Sequence, residues 1–180
     1  MDLLKTPTGR KIIFTSLYLS EGAPIGYIWW TIPTRLRVEG VSIEQITFLT
    51  SLLVLPWVLK FLWAPIIDTL QSNRWTLRSW IIATQFLMGI TLLPLIFLDF
   101  QADFNIVFIL LLFHTITAAT QDASIDALSI ASVPTSERGS INGWMQTGML
   151  TGRALLGGGA LTLGEKAGNK IIIILLIGVI

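Results

Sequence analysis

Apolar runs of about 20 residues recur along this chain and constrain its fold more than any other feature. As a helix, such a run is about the length needed to cross a ~30 Å hydrocarbon core. The composition agrees, because 53% of the 180 residues are hydrophobic and only 13% are charged, whereas soluble domains carry about 25% charged residues. The sequence therefore predicts an all-α integral membrane protein embedded in a lipid bilayer.

Short polar loops separate the apolar runs. The predicted spans cover residues 12–33, 43–67, 79–98, 104–130 and 139–163, and a sixth apolar run covers 171–180. That sixth run is too short to cross a bilayer as a helix. We therefore expect residues 1–180 to form one incomplete helical bundle, and the chain to be a fragment of a protein that continues.

Several function classes are excluded by what the sequence lacks. The chain has no cysteine and a single histidine, and it shows no metal-ligand spacing, phosphate loop or nucleophile motif. Its net charge is +1, without a basic patch, so nothing indicates a nucleic-acid partner. We predict no catalytic residue, no metal and no cofactor.

The loop charges predict the orientation of the chain, because short cytoplasmic loops carry an excess of lysine and arginine. The side that holds the N-terminus would carry Lys5, Arg10, Lys11, Arg74, Arg78 and Arg138. The opposite side would carry Arg35, Arg37, Lys166 and Lys170. This distribution favours a cytoplasmic N-terminus, and the first residues show no pattern of a removable signal peptide.

The stretch LPWVLKFLWAPIIDT places Lys60 inside an apolar segment, where a charged side chain is costly. Lys60 either extends its ammonium to the headgroups or faces the bundle interior and pairs with a carboxylate. Asp122 and Asp126 are four residues apart, so they share one helix face, and Asp122 lies at a depth similar to that of Lys60. Each aspartate is a candidate for a charge latch between helices or for a direct substrate role.

Glu21 lies near the middle of the first predicted span, in the segment SEGAPIGY. A glutamate at that depth is protonated, paired or exposed to an aqueous cavity. Gly22, Pro24 and Gly26 interrupt the helix around it, as happens where transporter helices line a binding site. Glu21 is therefore a candidate proton site, and the alternative is a neutral acid bonded to a neighbouring helix.

Arg153 lies near the middle of the fifth predicted span and keeps its charge, so it needs a partner. It would pair with Glu21 or bind an anionic group of a substrate. Gly148 and Gly152 form a GxxxG pattern, which is typical of close helix packing.

Two further features of the spans remain open. His114, in the fourth span, is a candidate proton shuttle or a side chain that simply bonds a neighbour. Trp29 and Trp30 lie on the outer part of the first span. They would belong to the interfacial aromatic belt or stack on a sugar.

Four segments together resemble one branch of the major facilitator superfamily, the AmpG-like muropeptide permeases and acetyl-CoA transporters. These segments are SLYLSEGAPIG, LKFLWAPIIDT, TQDASIDALSIASVPTSERGSING and GRALLGGGAL. The chain departs from the loop signature of the superfamily in two respects. Ala64 stands where that signature has glycine, and Arg74 and Arg78 are spaced apart where it has a tight basic run.

The resemblance implies the N-terminal six-helix half of a twelve-helix transporter, with its sixth helix truncated. It also implies alternating access and proton-coupled uptake. By matching positions, Asp68 and Arg138 become candidates for a gate latch together with Lys60 and Asp126, and Glu21 becomes a cavity residue.

The expected function is proton-coupled import of an amphiphilic anionic solute, such as an anhydromuropeptide, across a bacterial inner membrane. Its partners would be the solute, protons, lipid and the missing C-terminal half. The alternatives are a transporter of acetyl-CoA or of another solute, and, from a different class, a membrane enzyme or a non-transporting scaffold.

Overall fold

A computed structural model describes residues 3–180, apart from the side chains of residues 163 and 165–167, so Lys166 lies outside the described side chains. Every regular element in the described part is helical. The α-helices are α1 (Pro7–Gly26), α2 (Ile32–Val38), α3 (Ile43–Val58), α4 (Ala64–Thr69), α5 (Leu77–Leu92), α6 (Phe104–Ser132), α7 (Arg138–Arg153), α8 (Gly159–Ala167) and α9 (Asn169–Val179).

The first predicted span is part of a longer helical rod, in which α1 continues through a π-helical segment, Tyr27–Thr31, into α2. Thr6 caps the start of α1, because its hydroxyl accepts the backbone N–H of Gly9 at 3.1 Å. The predicted end at Pro33 is wrong. The π segment places Pro33 in the first turn of α2, where the missing N–H of a proline is tolerated.

The second predicted span is not one continuous helix. A capping box of Ser42 and Gln45 begins α3. This helix ends at Val58 and is followed by a 3₁₀ turn, Lys60–Leu62, and by the short α4. Pro65 contributes to the break, because it lacks the N–H that would bond the carbonyl oxygen of Phe61 in a continuous helix, and it lies instead in the first turn of α4, where a proline is tolerated.

The remaining predicted spans match the observed helices within a few residues. The third and fourth correspond to α5 and α6, and the sixth apolar run corresponds to α9. The fifth is one rod in which α7 continues through a second π segment, Ala154–Gly158, into α8.

Three of the described helical stretches are long and apolar enough to cross a membrane, namely Ile43–Leu62, Leu77–Ile96 and Phe104–Ser132. Large apolar side chains on all three point outward, since Phe48, Phe86 and Phe113 are each more than half exposed. A soluble protein rarely exposes so much contiguous apolar surface. These outward faces are those of an integral membrane protein, which the sequence predicted.

A glycine seam joins α1 to α7. A Cβ atom on Gly152 would overlap the backbone of Leu19, and one on Gly148 would overlap the backbone of Thr15. The seam extends to the π segments, where a Cβ on Gly157 would lie 2.7 Å from the Cα of Gly26. The predicted role of the GxxxG pattern in close helix packing is confirmed.

The two π segments contact each other directly beside this seam. A hydrogen bond joins them, because the buried hydroxyl of Thr31 donates to the backbone carbonyl oxygen of Gly157 at 2.9 Å. The rods α1–α2 and α7–α8 therefore behave as one closely packed pair, against which α6 and α3 place the polar side chains described next.

Candidate functional site

A charge cluster lies where α1 and α6 meet the 3₁₀ turn that follows α3. We define it by Lys60, Asp122, Asp126 and Tyr18. The Lys60 ammonium lies 2.6 Å from Asp122 Oδ2 and 3.5 Å from Asp126 Oδ2. The side chain of Asp122 is 12% exposed, and that of Lys60 is 34% exposed. Of the two sequence interpretations of Lys60, pairing inside the bundle is the one observed.

The position of Lys60 follows from the interruption of the second rod. Helix α3 ends at Val58 and the 3₁₀ turn begins at Lys60, so the Lys60 side chain projects from backbone that is no longer regular α-helix. Asp122 and Asp126 project from one face of the regular α6, one helical turn apart. One cation can therefore reach both carboxylates.

Tyr18 belongs to this cluster, although it was not among the predicted site residues. Its hydroxyl lies 2.7 Å from Asp126 Oδ1 and 3.2 Å from Asp122 Oδ1, so it ties α1 to both aspartates. A sequence signal for it exists. Tyr18 lies within the first predicted span and away from its ends, where the interfacial belt of aromatic residues does not account for a tyrosine.

Glu21 lies one turn beyond Tyr18 on α1 and is fully buried. Neither of its carboxyl oxygens has a hydrogen-bond partner among the described residues. The indole of Trp57 and the charged groups of Asp122, Asp126 and Lys60 act on it electrostatically. A buried acidic group without a partner is uncommon, so Glu21 is a candidate for a functional role beside the cluster.

Gln121 and His114 are also fully buried, on the same stripe of α6. Both amide atoms of Gln121 lack a partner among the described residues. The His114 Nδ1 atom lies 3.1 Å from Thr91 Oγ1 and 3.3 Å from the Met88 carbonyl oxygen, while its Nε2 atom is unpaired there. His114 thus bonds its neighbours on α5, as its simpler interpretation predicts, and its role as a proton shuttle stays a prediction.

Of the two alternatives that the sequence left open for Arg153, an ion pair with Glu21 is not observed among the described residues. The backbone of Arg153 packs on Gly26, so that a Cβ there would lie 2.6 Å from the Arg153 carbonyl oxygen. Gly26 is five residues beyond Glu21, about 7.5 Å along a helix. The two side chains therefore lie at different levels of the rod.

The other two latch candidates make no ion pair in the described part of the chain. Asp68 is exposed on α4. Arg138 instead caps α6, because its guanidinium donates to the carbonyl oxygens of Ile130 at 2.9 Å and Val133 at 3.3 Å. This contact holds the end of the helix that carries both aspartates, and a latch role for Asp68 and Arg138 stays a prediction.

A second ion pair, not predicted, fixes the start of α1. The Arg10 guanidinium binds both carboxylate oxygens of Glu137, with Nη2–Oε1 at 2.7 Å and Nε–Oε2 at 3.0 Å, and its Nη1 donates to the Leu4 carbonyl oxygen at 2.9 Å. Such two-point pairing is stronger and more directional than a single contact. It joins α1 to the turn between α6 and α7.

The cluster and Glu21 together hold three carboxyl groups and one ammonium group in a largely buried region. An excess of carboxyl groups over cations gives such a region the means to bind a proton or a cationic group. The described residues contain no group of three histidine or acidic side chains that could hold a metal ion.

Comparison with known proteins points to transporters. A family model described as Acetyl-coenzyme A transporter 1 matches residues 11–142. This range includes the whole charge cluster, Glu21 and Glu137, and Arg10 lies just before it. The family is one of transporters, which argues against the membrane-enzyme alternative.

The curated relatives agree with the family model. The Anhydromuropeptide permease of Escherichia coli is 29% identical over 158 residues, covering 87% of this chain and 32% of the permease. The AmpG 4 protein of Rickettsia conorii is 27% identical over 158 residues, covering 86% of this chain and 38% of that protein. An uncharacterized membrane protein of Saccharomyces cerevisiae is 39% identical over 97 residues, covering 51% of this chain and 17% of the yeast protein.

This chain thus spans about a third of the length of the two bacterial relatives that it matches. The family model, at residues 11–142, covers all four residues of the charge cluster. The resemblance predicted from the four sequence segments is confirmed, and the chain belongs to the Acetyl-coenzyme A transporter 1 family, with anhydromuropeptide permeases among its relatives.

Proposed function

We propose that this chain is part of a proton-coupled importer of an amphiphilic anionic solute, with anhydromuropeptides as the first candidates. The matching family and the bacterial relatives support a transporter. The observation that carries the proton coupling is Glu21, a fully buried carboxyl group with both oxygens unpaired among the described residues. It lies one helical turn from a cluster of opposite charges.

Glu21 would be the proton site. A carboxyl group exchanges its proton readily when its surroundings alternate between a dry and a hydrated state. Pro24 removes one backbone hydrogen bond from α1 next to Glu21, and such an interruption is typical of helices that line transporter cavities. Alternating access would then expose Glu21 to water on one side of the membrane at a time.

The charge cluster would be the two-state element of the transport cycle. Lys60 lies closer to Asp122 than to Asp126, and Tyr18 contacts both aspartates. Lys60 thus has two carboxylates within reach, and a small shift of the turn after α3 would change which of them it binds. A solute drives such a shift only if its affinity differs between the two states.

The architecture that we propose is the N-terminal six-helix half of a twelve-helix transporter of the major facilitator superfamily, completed by a C-terminal half. Residues 1–180 would then be one incomplete bundle. We place the N-terminus in the cytoplasm, because six basic loop residues fall on that side and four on the other. A bacterial inner membrane agrees with the bacterial relatives.

Acetyl-CoA is the second candidate solute, because the matching family model carries that description. Uptake assays separate the two. The natural protein is reconstituted in vesicles, and accumulation of radiolabelled anhydromuropeptide and of radiolabelled acetyl-CoA is measured with and without an imposed proton gradient. The solute whose accumulation increases with the proton gradient is identified as the substrate. Uptake of either solute at a rate independent of the gradient contradicts proton coupling.

The proton site is tested in the same vesicles with Glu21→Gln, which keeps the shape of the side chain and removes the exchangeable proton. We expect gradient-driven accumulation to be lost, while exchange of solute across the membrane continues. The matched control is Glu44→Gln, since Glu44 is exposed in the first turn of α3. Full accumulation in Glu21→Gln would refute the assignment.

A further inference from the structure

A cavity of about 280 Å³ lies between the first π segment, α3 and the end of α7, and no step proposed so far uses it. Its lining consists of Ile25, Gly26, Trp29, Trp30, Val54 and Arg153. Its rim is open to the surroundings, since Trp30 is 45% exposed and Val54 is 39% exposed. Complete ligand sites usually measure about 300–1,000 Å³. This cavity therefore has room for one chemical group of a larger solute.

Arg153 gives the cavity its charge. The side chain is partly buried, its Nε atom is buried without a hydrogen-bond partner, and no carboxylate pairs with it in the described part of the chain. The close packing of the Arg153 backbone on Gly26 fixes where the side chain begins. An arginine keeps its charge and presents a planar fork that matches carboxylate and phosphate groups. An anionic group would complete its bonding.

Trp29 and Trp30 give the cavity its shape. They are consecutive residues, and in an α-helix consecutive side chains point about 100° apart. The π segment widens the turn and reduces this angle, so that both indoles line the same cavity. Flat aromatic faces stack on rings and on the apolar faces of sugars, and the indole N–H can also donate a hydrogen bond.

We propose that this cavity is a subsite for an anionic group attached to a ring, in which Arg153 binds the carboxylate or phosphate and the two indoles contact the ring. The proposal rests on the proposed transport function, because it names the chemical class of the solute group that is recognised. It differs from the proton site in place and in chemistry. Glu21 handles the proton, and Arg153 selects the solute.

The test measures binding directly, so that it does not depend on transport. Purified natural protein is titrated with N-acetylmuramic acid, which carries a carboxylate on a sugar ring, and with N-acetylglucosamine, which lacks that carboxylate. Adenosine monophosphate serves as the phosphate probe. Tryptophan fluorescence and ligand-induced thermal shift report binding. We expect at least one of the two anionic probes to bind at least about tenfold more tightly than N-acetylglucosamine.

Two substitutions assign the selectivity to residues. Arg153→Gln should abolish the difference in affinity between the anionic and the neutral probe. Arg153→Lys should retain part of that difference. Trp30→Ala should weaken the binding of the anionic and of the neutral sugar by similar factors, because both sugars have the same ring. The matched control is Arg74→Gln, since Arg74 is an exposed arginine in the loop before α5.

Each outcome decides the proposal. Selective binding of N-acetylmuramic acid supports a sugar acid as the group, and selective binding of adenosine monophosphate supports a nucleotide phosphate. Absence of any preference for an anion, or an unchanged preference in an Arg153→Gln protein that melts like the natural one, overturns it. If selective binding is observed but uptake ignores the proton gradient, the subsite stands and the coupling mechanism fails.

Discussion

Gly152→Ala probes the contact that holds the two rods together. A Cβ atom at this position would overlap the carbonyl oxygen of Leu19 and lie 2.8 Å from the backbone nitrogen of Ala23 and 3.1 Å from the carbonyl carbon of Gly22. Ordinary contacts of a Cβ atom begin near 3.4 Å. The atoms in the way belong to the backbone of α1, so no side-chain rotation relieves the overlap, and the helices must separate.

The expected cost can be worked out from this geometry. Overpacking of a close interface costs about 1–3 kcal/mol, and a helix pair inside a membrane relies on such packing for its association. A change of 1 kcal/mol shifts the melting temperature of a protein of this size by roughly 2–4 °C. We therefore expect Gly152→Ala to lower the melting temperature by roughly 2–12 °C.

Gly143→Ala is the matched control, because Gly143 lies on the same helix with nothing within 4 Å of a Cβ atom. There an alanine stabilises the helix by up to about 1 kcal/mol, so the melting temperature should stay or rise. Thermal unfolding in detergent, followed by intrinsic tryptophan fluorescence, measures both variants. Equal melting temperatures for Gly152→Ala and Gly143→Ala would refute the interpretation of the seam.

Lys60→Ala should lower solute uptake while expression stays intact, and normal uptake in this variant would remove Lys60 from the transport cycle. A double-mutant cycle of Lys60→Ala with Asp122→Asn should give a coupling of about 1–2 kcal/mol in thermal unfolding, because solvent weakens a pair that is one-third exposed on the lysine side. Tyr18→Phe should lower stability by about 1–2 kcal/mol, since Asp126 loses its 2.7 Å hydrogen bond from the hydroxyl; an unchanged melting temperature would mean that the hydroxyl contributes nothing. Arg10→Lys should lower stability by about 1 kcal/mol or more, because lysine cannot bind both oxygens of Glu137, and full stability would show that charge alone suffices.

The sequence was a good guide to the helices where a regular helix lies between clear polar ends. Helix α6 begins at the predicted residue and ends two residues beyond the prediction, shortly before Pro134, which lacks the N–H that would continue it. The sequence also paired Lys60 with Asp122, since an unpaired charge inside an apolar segment needs an opposite charge at its own depth.

The errors arose where the backbone departs from the α-helix. A π segment carries no composition signal that separates it from an ordinary turn, so Pro33 was taken as the end of the first span. The Arg153–Glu21 pair depended on the lengthwise offset between α1 and α7. The periodicity of residues along one helix contains no information on the offset between two helices. Tyr18 was missed because its hydroxyl gains its role only from two aspartates that lie about 100 residues away in sequence.

The two neighbouring π segments also bear on how the sequences of this family can change. A π turn closes its hydrogen bonds over five residues where an α turn uses four, so deleting one residue from Tyr27–Thr31 would let the segment close as an ordinary α turn and leave α2 near its present orientation. Arg35 would then keep its place over the ring of Phe100, which its guanidinium faces at 5.5 Å. In the regular helices on either side, the same deletion would turn everything beyond it by about 100°. Single-residue deletions are therefore expected to be better tolerated within Tyr27–Thr31 and Ala154–Gly158 than in the flanking α-helices of related sequences.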